Sequence, residues 1–295
     1  MWFVGSEKPC IYSVPNRKQS YSSTLTSAIF TIVPEAFFAK YKLISQEFFK
    51  QFKTFTSEDV QLLNIIISRI FTFLVILLAV VFVYIVYLKL RKRTTIEGPN
   101  YSICVEYGNI FKTKHCKRVV NFDECFTTQV GNATSDINPG SICGQYLTMH
   151  PDLNIQQLIN ASQISPAKSK SLYKGNQRYN SGTIVPNGDD LLMAFARLDE
   201  RGKGRFFSRD EYIECLNLLW KEIEIYYSEK DVCVPILGAG TTTFDGGNGA
   251  SISQQDLLDM MILSYKLSSH KIKAPHKLRI ICKRTNGFSI NNIKA

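Results

Sequence analysis

No Cys-x-x-Cys pair occurs among the eight cysteines, and no histidine stands at zinc-finger spacing from them, so no metal site is expected. Proline and glycine are scarce: 10 and 17 residues in a chain of 295 exclude a collagenous or low-complexity protein. Acidic residues are also in deficit, 25 against 35 Lys or Arg, which leaves a formal charge of +10. That excess is not spread evenly. Residues 1–93 hold 12 Lys or Arg against 5 Asp or Glu, whereas 94–295 are close to balanced at 23 against 20. The basic third also contains the longest apolar run, so its charge fits an anionic membrane surface better than DNA or RNA, and no nucleic-acid partner is expected. The hydrophobic share of 45% and aromatic share of 12% are enough to bury a core.

Charge is absent altogether from Ile70 to Leu88, IFTFLVILLAVVFVYIVYL. At about 1.5 Å per residue this run covers nearly the roughly 30 Å of a bilayer's hydrocarbon. It starts too far along the chain to be read as a cleaved signal peptide. Lys89, Arg91, Lys92 and Arg93 follow at once, and the positive-inside tendency places what comes after them in the cytoplasm. A second apolar stretch, about 24–45, is interrupted by Pro34 and Glu35. It reads either as a first span, making a helical hairpin, or as an amphipathic or re-entrant segment. These features predict a membrane region over 1–93, with the lipid bilayer as a partner, and localisation to the inner membrane. The cysteines beyond it are expected to be reduced thiols.

Gly98-Pro99 punctuates the chain and predicts a linker over 94–100. A domain over 101–285 and a tail over 286–295 follow. Short apolar, β-branched runs predict strands at 102–107, 118–121, 182–186, 232–237 and 278–283. Helical patterns fall at about 153–161, 189–198, 208–228 and 253–267, the third opened by Ser208 with Glu211 at the capping-box position. Alternation of the two predicts a cytoplasmic α/β domain with a mixed β-sheet flanked by helices. Asp199 to Asp210 mimics a calcium-binding loop, but Arg201 and Lys203 stand where oxygen ligands are required.

Two segments carry chemistry. Pro235 to Phe244 is a β-rich run ending in Gly238-Ala239-Gly240 and the hydroxyls of Thr241, Thr242 and Thr243, with Gly246-Gly247 beyond. Strand-end glycines let backbone N–H groups approach phosphate oxygens, although the lysine of a P-loop is missing. In Val119 to Val130 a strand runs into Asn121, Asp123, Glu124, Phe126, Thr127 and Thr128. Polar groups at a strand's carboxyl end line the crevice of an open α/β sheet.

With Gly108-Asn109-Ile110 after the first strand, Val120-Asn121 and Gly238-Ala239-Gly240, the domain resembles the macro domain, a module that binds ADP-ribose and its relatives. Asn121 to Thr128, Ser141-Ile-Cys-Gly144 and Trp220 in the long helix look more narrowly like the membrane-anchored macro-domain effectors of type II Thoeris antiphage systems. The resemblance covers about residues 100–285. It implies a ligand site at Asn109, Ile110, Asn121, Asp123, Glu124, Phe126, Thr127, Thr128, Gly144, Gly238 to Thr243 and Phe244. Asn109 replaces a customary Asp, and Cys143 a customary His. The glycine-rich catalytic loop of ADP-ribosyl hydrolases is absent, with Phe122 to Val130 in its place. Recognition without turnover is therefore implied: no enzyme, no catalytic residues and no cofactor. The implied signal is histidine-ADP-ribose, a nucleotide messenger from a TIR-domain enzyme, which drives homo-oligomerisation, membrane disruption and abortive infection. The alternative is a membrane-anchored hydrolase of ADP-ribose derivatives using Asp123 or Glu124.

Overall fold

The computed structural model describes residues 57–293 apart from 134, 207, 241 and 245–251; the stretch at about 24–45, Thr241 and Gly246-Gly247 lie outside the described residues. The chain divides into two compact units, Met1–Lys89 and Leu90–Ala295.

The first unit contributes one described helix, α1 (Ser57–Leu90), roughly 50 Å long at 1.5 Å per residue. Its segment Leu62–Leu90 is long and apolar enough to cross a membrane. A surface helix of a soluble protein shows one apolar stripe, whereas here Leu78, Val83 and Tyr84, spread around the helix, are each at least 59% exposed. The Thr72 hydroxyl donates to the Ser68 carbonyl at 2.8 Å, so the helix satisfies that polar group internally.

The second unit runs β1 (Arg93–Glu97), β2 (Ser102–Tyr107), a 3₁₀ turn (Ile110–Lys112), β3 (Cys116–Asp123), α2 (Ile142–Met149), α3 (Ile155–Ser162), β4 (Ile184–Asn187), β5 (Asp190–Leu198), β6 (Gly204–Phe206), α4 (Arg209–Tyr226), β7 (Asp231–Pro235), β8 (Thr243–Phe244), α5 (Gln254–Leu267), β9 (Leu278–Cys282) and a 3₁₀ turn (Ile290–Asn292). The strands form one mixed sheet in the order β1-β2-β9-β7-β3-β5-β6-β8, with β4 also paired to β5. The central strands β2, β9, β7, β3 and β5 are parallel, and β1, β4 and β6 join antiparallel. Parallel strands leave both sheet faces to be covered. One face packs Val119, Leu191, Val234 and Ile280 against Leu216 and Trp220 of α4 and Met261 and Tyr265 of α5. The other packs Val120, Phe122 and Leu192 against Tyr146 of α2 and Ile159 of α3. Trp220 is fixed between the helices by an Nε1–H to Ser264 Oγ bond of 3.0 Å and an edge contact with Tyr265.

Three expectations are corrected. The pattern over 189–198 predicts a helix, yet Asp190–Leu198 is the strand β5. Leu, Met and Ala favour helices in isolation, but here Leu191, Met193 and Phe195 enter one core while Leu192 and Ala194 enter the other. Burial on both faces overrides local propensity. The linker over 94–100 is half strand: Arg93–Glu97 pairs with Ser102–Glu106, with Ile96 buried. The tail over 286–295 is partly core, since Phe288 and Ile290 are buried and Phe288 packs edge-on to Tyr107. The calcium-loop mimic closes the β5–β6 turn through Asp199, whose carboxylate accepts from the Arg201 and Lys203 amides.

Candidate functional site

The carboxyl ends of the parallel strands open onto a cleft of about 430 Å³. Each wall has a local cause. β3 delivers Asn121 at its end, and the loop after β7 delivers Gly238, Ala239, Gly240 and Thr242. That loop is anchored from below: the Tyr212 hydroxyl donates to the Leu237 carbonyl at 3.0 Å. Gly238 has φ +82, and a Cβ there would lie 3.1 Å from the Phe244 ring, so both the turn and its close approach require glycine. At Gly240 the opposite holds, because a Cβ would meet nothing within 4 Å among the described residues.

The facing wall is the start of α2. Ser141 caps it, its Oγ accepting from the Gly144 amide at 3.0 Å, and Ser141, Ile142 and the preceding Asn138 line the cleft. Gly144 does not line it. A Cβ on Gly144 would sit 2.2 Å from the Asn138 carbonyl oxygen, so this glycine lets helix and loop pack together. Gly144→Ala is expected to destabilise the domain by about 2 kcal/mol, since the clash is with backbone. Thermal unfolding of the variant tests this, and an unchanged midpoint would refute the packing role. The neighbouring Cys143 is buried, and burial raises its thiol well above the ordinary value, which leaves it neutral.

A smaller side pocket of about 120 Å³ adjoins this cleft through Ile142, Pro235, Ile281 and Lys283, and is completed by Gly108 to Phe111 and Gln145. Asn109 lines it while its Oδ1 accepts from the Phe111 amide at 2.9 Å, capping the 3₁₀ turn. Ile110 forms part of its apolar wall.

Two properties define what the cleft can hold. Among the described residues lining it, Lys283 carries the only formal charge, and no carboxylate is present. Asn121 Oδ1 is buried in its lining without a hydrogen-bond partner among the described residues. A buried unpaired amide oxygen is costly unless a ligand donor meets it. Asn121→Ala is expected to weaken nucleotide binding by about 1–3 kcal/mol. Titration calorimetry against ADP-ribose measures the loss, and wild-type affinity in the variant would remove Asn121 from the site.

The structure brings together Asn109, Ile110, Asn121, Gly238, Ala239, Gly240 and Thr242 around these two cavities. It places the others elsewhere. The Asp123 carboxylate turns back on its own loop and accepts from the Cys125 amide, the Thr127 amide and the Thr127 hydroxyl, while burial holds its carboxyl above the ordinary aspartate value. Glu124 is 1% exposed and accepts from Ser171 Oγ at 2.5 Å and the Leu198 amide at 3.1 Å, with Arg178 Nη1 3.3 Å away. Phe126 is core, packed on Phe122 and Tyr179. Thr128 is exposed on this loop, Thr243 belongs to β8, and Phe244 is buried against Phe206 and Tyr212. Sequence reasoning missed Lys283, Gln254 and the 138–140 segment, and from the Ser141-Ile-Cys-Gly144 motif it carried Gly144 into the site rather than Ser141 and Ile142. Lys283 had a readable signal, a cation directly after the apolar strand Leu278–Cys282. Gln254 had none; it ties α5 to the segment after β9, its Oε1 accepting from Thr285 and its Nε2 donating to the Lys283 carbonyl.

A mixed α/β domain whose strand ends converge on a glycine turn, an unpaired amide and one cation has the geometry to hold a small anionic ligand. Residues 103–283 match the family described as "Thoeris protein ThsA, Macro domain", and the chain belongs to that family. A curated relative, Thoeris protein ThsA of Bacillus amyloliquefaciens (strain Y2), is 26% identical over 199 residues, covering 64% of this chain and 65% of that protein, so the match spans just under two thirds of the relative's length. Among solved structures, the macrodomain of Thermus aquaticus DarG is similar with 14% identity and a TM-score of 0.34, covering 62% of this chain and 98% of that one. Thermosipho africanus DarTG in complex with ADP-ribose is similar with 12% identity and a TM-score of 0.37, covering 65% and 45% respectively.

Proposed function

We propose that this protein is an antiphage-defence effector whose macro domain binds an ADP-ribose-type nucleotide in the strand-end cleft. The observation that carries this reading is the cleft's lining: an unpaired Asn121 oxygen, open space over Gly240 and Lys283 as the lining charge, with no carboxylate among the described lining residues. Backbone N–H groups of a glycine turn suit a diphosphate, and Lys283 offsets its charge. The side pocket, with Ile110, Phe111 and Ile281 in its wall and Asn109 at its mouth, suits a nucleobase.

Binding without turnover is the form of this function that the residues favour. Water activation needs a carboxylate within reach of the ligand. Asp123 and Glu124, the candidates for it, spend their oxygens on internal partners. By the family resemblance, the signal is histidine-ADP-ribose made by a TIR-domain enzyme.

The membrane half of the proposal rests on α1. Its apolar surface fits lipid, and Lys89, Arg91, Lys92 and Arg93 favour a cytoplasmic domain at the inner membrane. Only Arg91 and Lys92 separate the helix from β1, so ligand-driven association of domains would be passed to the membrane helices through a very short connection, leading to oligomerisation and membrane disruption. The test is titration of the full chain in lipid nanodiscs with ADP-ribose and histidine-ADP-ribose, followed by mass spectrometry of the released ligand. Saturable binding with the ligand recovered intact is expected. Ligand returned as hydrolysis products would replace this reading with the hydrolase, and absence of binding would remove the nucleotide.

A further inference from the structure

Away from the cleft's polar residues, two cysteines meet in the apolar cluster that includes the side-pocket residues Ile110 and Ile281. Cys116 opens β3 and Cys233 lies in the middle of β7, and their sulfurs are 3.0 Å apart. Both are buried, at 4% and 0% exposure. In the parallel ladder Cys233 stands opposite Arg118, so Cys116 is its diagonal neighbour, two residues out of register on the same sheet face. Cys116 Sγ also lies 3.2 Å from Thr113 Oγ1. The pair shares a small apolar cluster with Ile110 and Ile281, and those two side chains line the side pocket.

We propose that Cys116 and Cys233 are a redox-modification site: a peroxide converts them to a reversible disulfide that reshapes the side pocket and lowers nucleotide affinity. The chemistry balances in two steps. The Cys116 thiolate attacks one peroxide oxygen, an S–O bond forms as the O–O bond breaks, and the departing hydroxide is protonated to water. Cys233 sulfur then attacks Cys116 sulfur, an S–S bond forms, the S–O bond breaks, and the hydroxide leaves as water with the Cys233 proton. Two thiols are oxidised by two electrons and one peroxide is reduced to two waters. A dithiol reverses the change by exchange.

The surroundings favour Cys116 as the attacking sulfur. The hydrogen bond from the Cys233 thiol, then that with Thr113 and the guanidinium charges of Arg279 and Arg118, pull its thiol below the ordinary cysteine value against the effect of burial. Cys143, Cys215 and Cys282 are all pushed upward by burial, so they remain neutral and unreactive. Bond formation shortens the sulfur separation to about 2.05 Å, and diagonal strand neighbours stand about 7–8 Å apart at Cα, at or beyond the usual reach of a disulfide. The first residues of β3 therefore move toward β7 as the bridge closes. Ile110 and Ile281, packed on the two sulfurs, carry that movement into the pocket wall.

The binding half of this inference rests on the cleft's reading as a nucleotide site; the disulfide itself does not. Full-length protein in nanodiscs is treated with hydrogen peroxide, alkylated and mapped by peptide mass spectrometry, and ADP-ribose affinity is measured before and after. Expected are a Cys116–Cys233 cross-linked peptide with the loss of two hydrogen atoms, its disappearance on dithiothreitol, and an affinity loss of about fivefold or more. Cys116→Ala and Cys233→Ala, each tested in case one fails to fold, should show neither cross-link nor peroxide-dependent loss. Recovery of both cysteines alkylated after peroxide would overturn the site, and undiminished affinity in fully bridged protein would overturn its coupling to the pocket. Failure of the reduced protein to bind ADP-ribose, with the cross-link present, counts against the nucleotide reading and not against the disulfide.

Discussion

Gly240→Glu is expected to abolish nucleotide binding while leaving the domain folded. A side chain at this position starts in open space, with no atom of the described residues within 4 Å of its Cβ and no left-handed backbone to strain it, so the fold tolerates the change. The new carboxylate nevertheless stands in the cleft, where the ligand's diphosphate belongs. Two unit charges about 4 Å apart near a protein surface repel by roughly 4 kcal/mol, about a thousandfold in affinity, before any loss of space is counted. Gly240→Ala adds bulk without charge and should lose far less. Calorimetry with circular dichroism separates the effects. A folded Gly240→Glu protein that binds with unchanged affinity would take this loop out of the site.

The second large effect falls on stability. Glu124→Ala should cost about 3–5 kcal/mol, because it removes one partner from a buried charged network, leaves Ser171 Oγ and the Leu198 amide without this acceptor, and leaves Arg178 Nη1 without its carboxylate. For a domain of this size that corresponds to a fall in melting temperature on the order of 10 °C. Glu124→Gln retains an acceptor oxygen and should fall by less. Below the melting transition, ADP-ribose affinity should be unchanged in both variants. A Glu124→Ala protein with wild-type stability and lost binding would return this residue to the ligand site.

The contrast between these positions explains how far the sequence was legible. Gly238-Ala239-Gly240 and Asn121 were readable because glycine at a strand end and amide at a strand end have few structural uses other than a close backbone approach or a polar contact. The run from Asp123 to Thr128 carried the same kind of polar signal, yet its carboxylates organise the loop and the neighbouring 171–178 segment. Spacing alone does not tell whether an acid at a strand end faces solvent, ligand or its own chain. β5 shows the complementary difficulty. A run of Leu, Met, Ala and Phe satisfies the helical pattern, and only the two cores on either side of it make it a strand. The five expected strands overlap β2, β3, β4, β7 and β9 of the sheet because their β-branched residues mark a pleated surface that is covered on both sides. Cys116 and Cys233, 117 positions apart, become a pair only through the adjacency of β3 and β7.

The central claim is that an ADP-ribose-type ligand lies between the glycine turn and the start of α2. Hydrogen exchange on the full chain in nanodiscs, with and without saturating ADP-ribose, tests it most directly. The account predicts slowed exchange over 108–111, 138–142 and 238–242, with 123–128 unchanged. Protection confined to 123–128, or none at all at saturation, would contradict it.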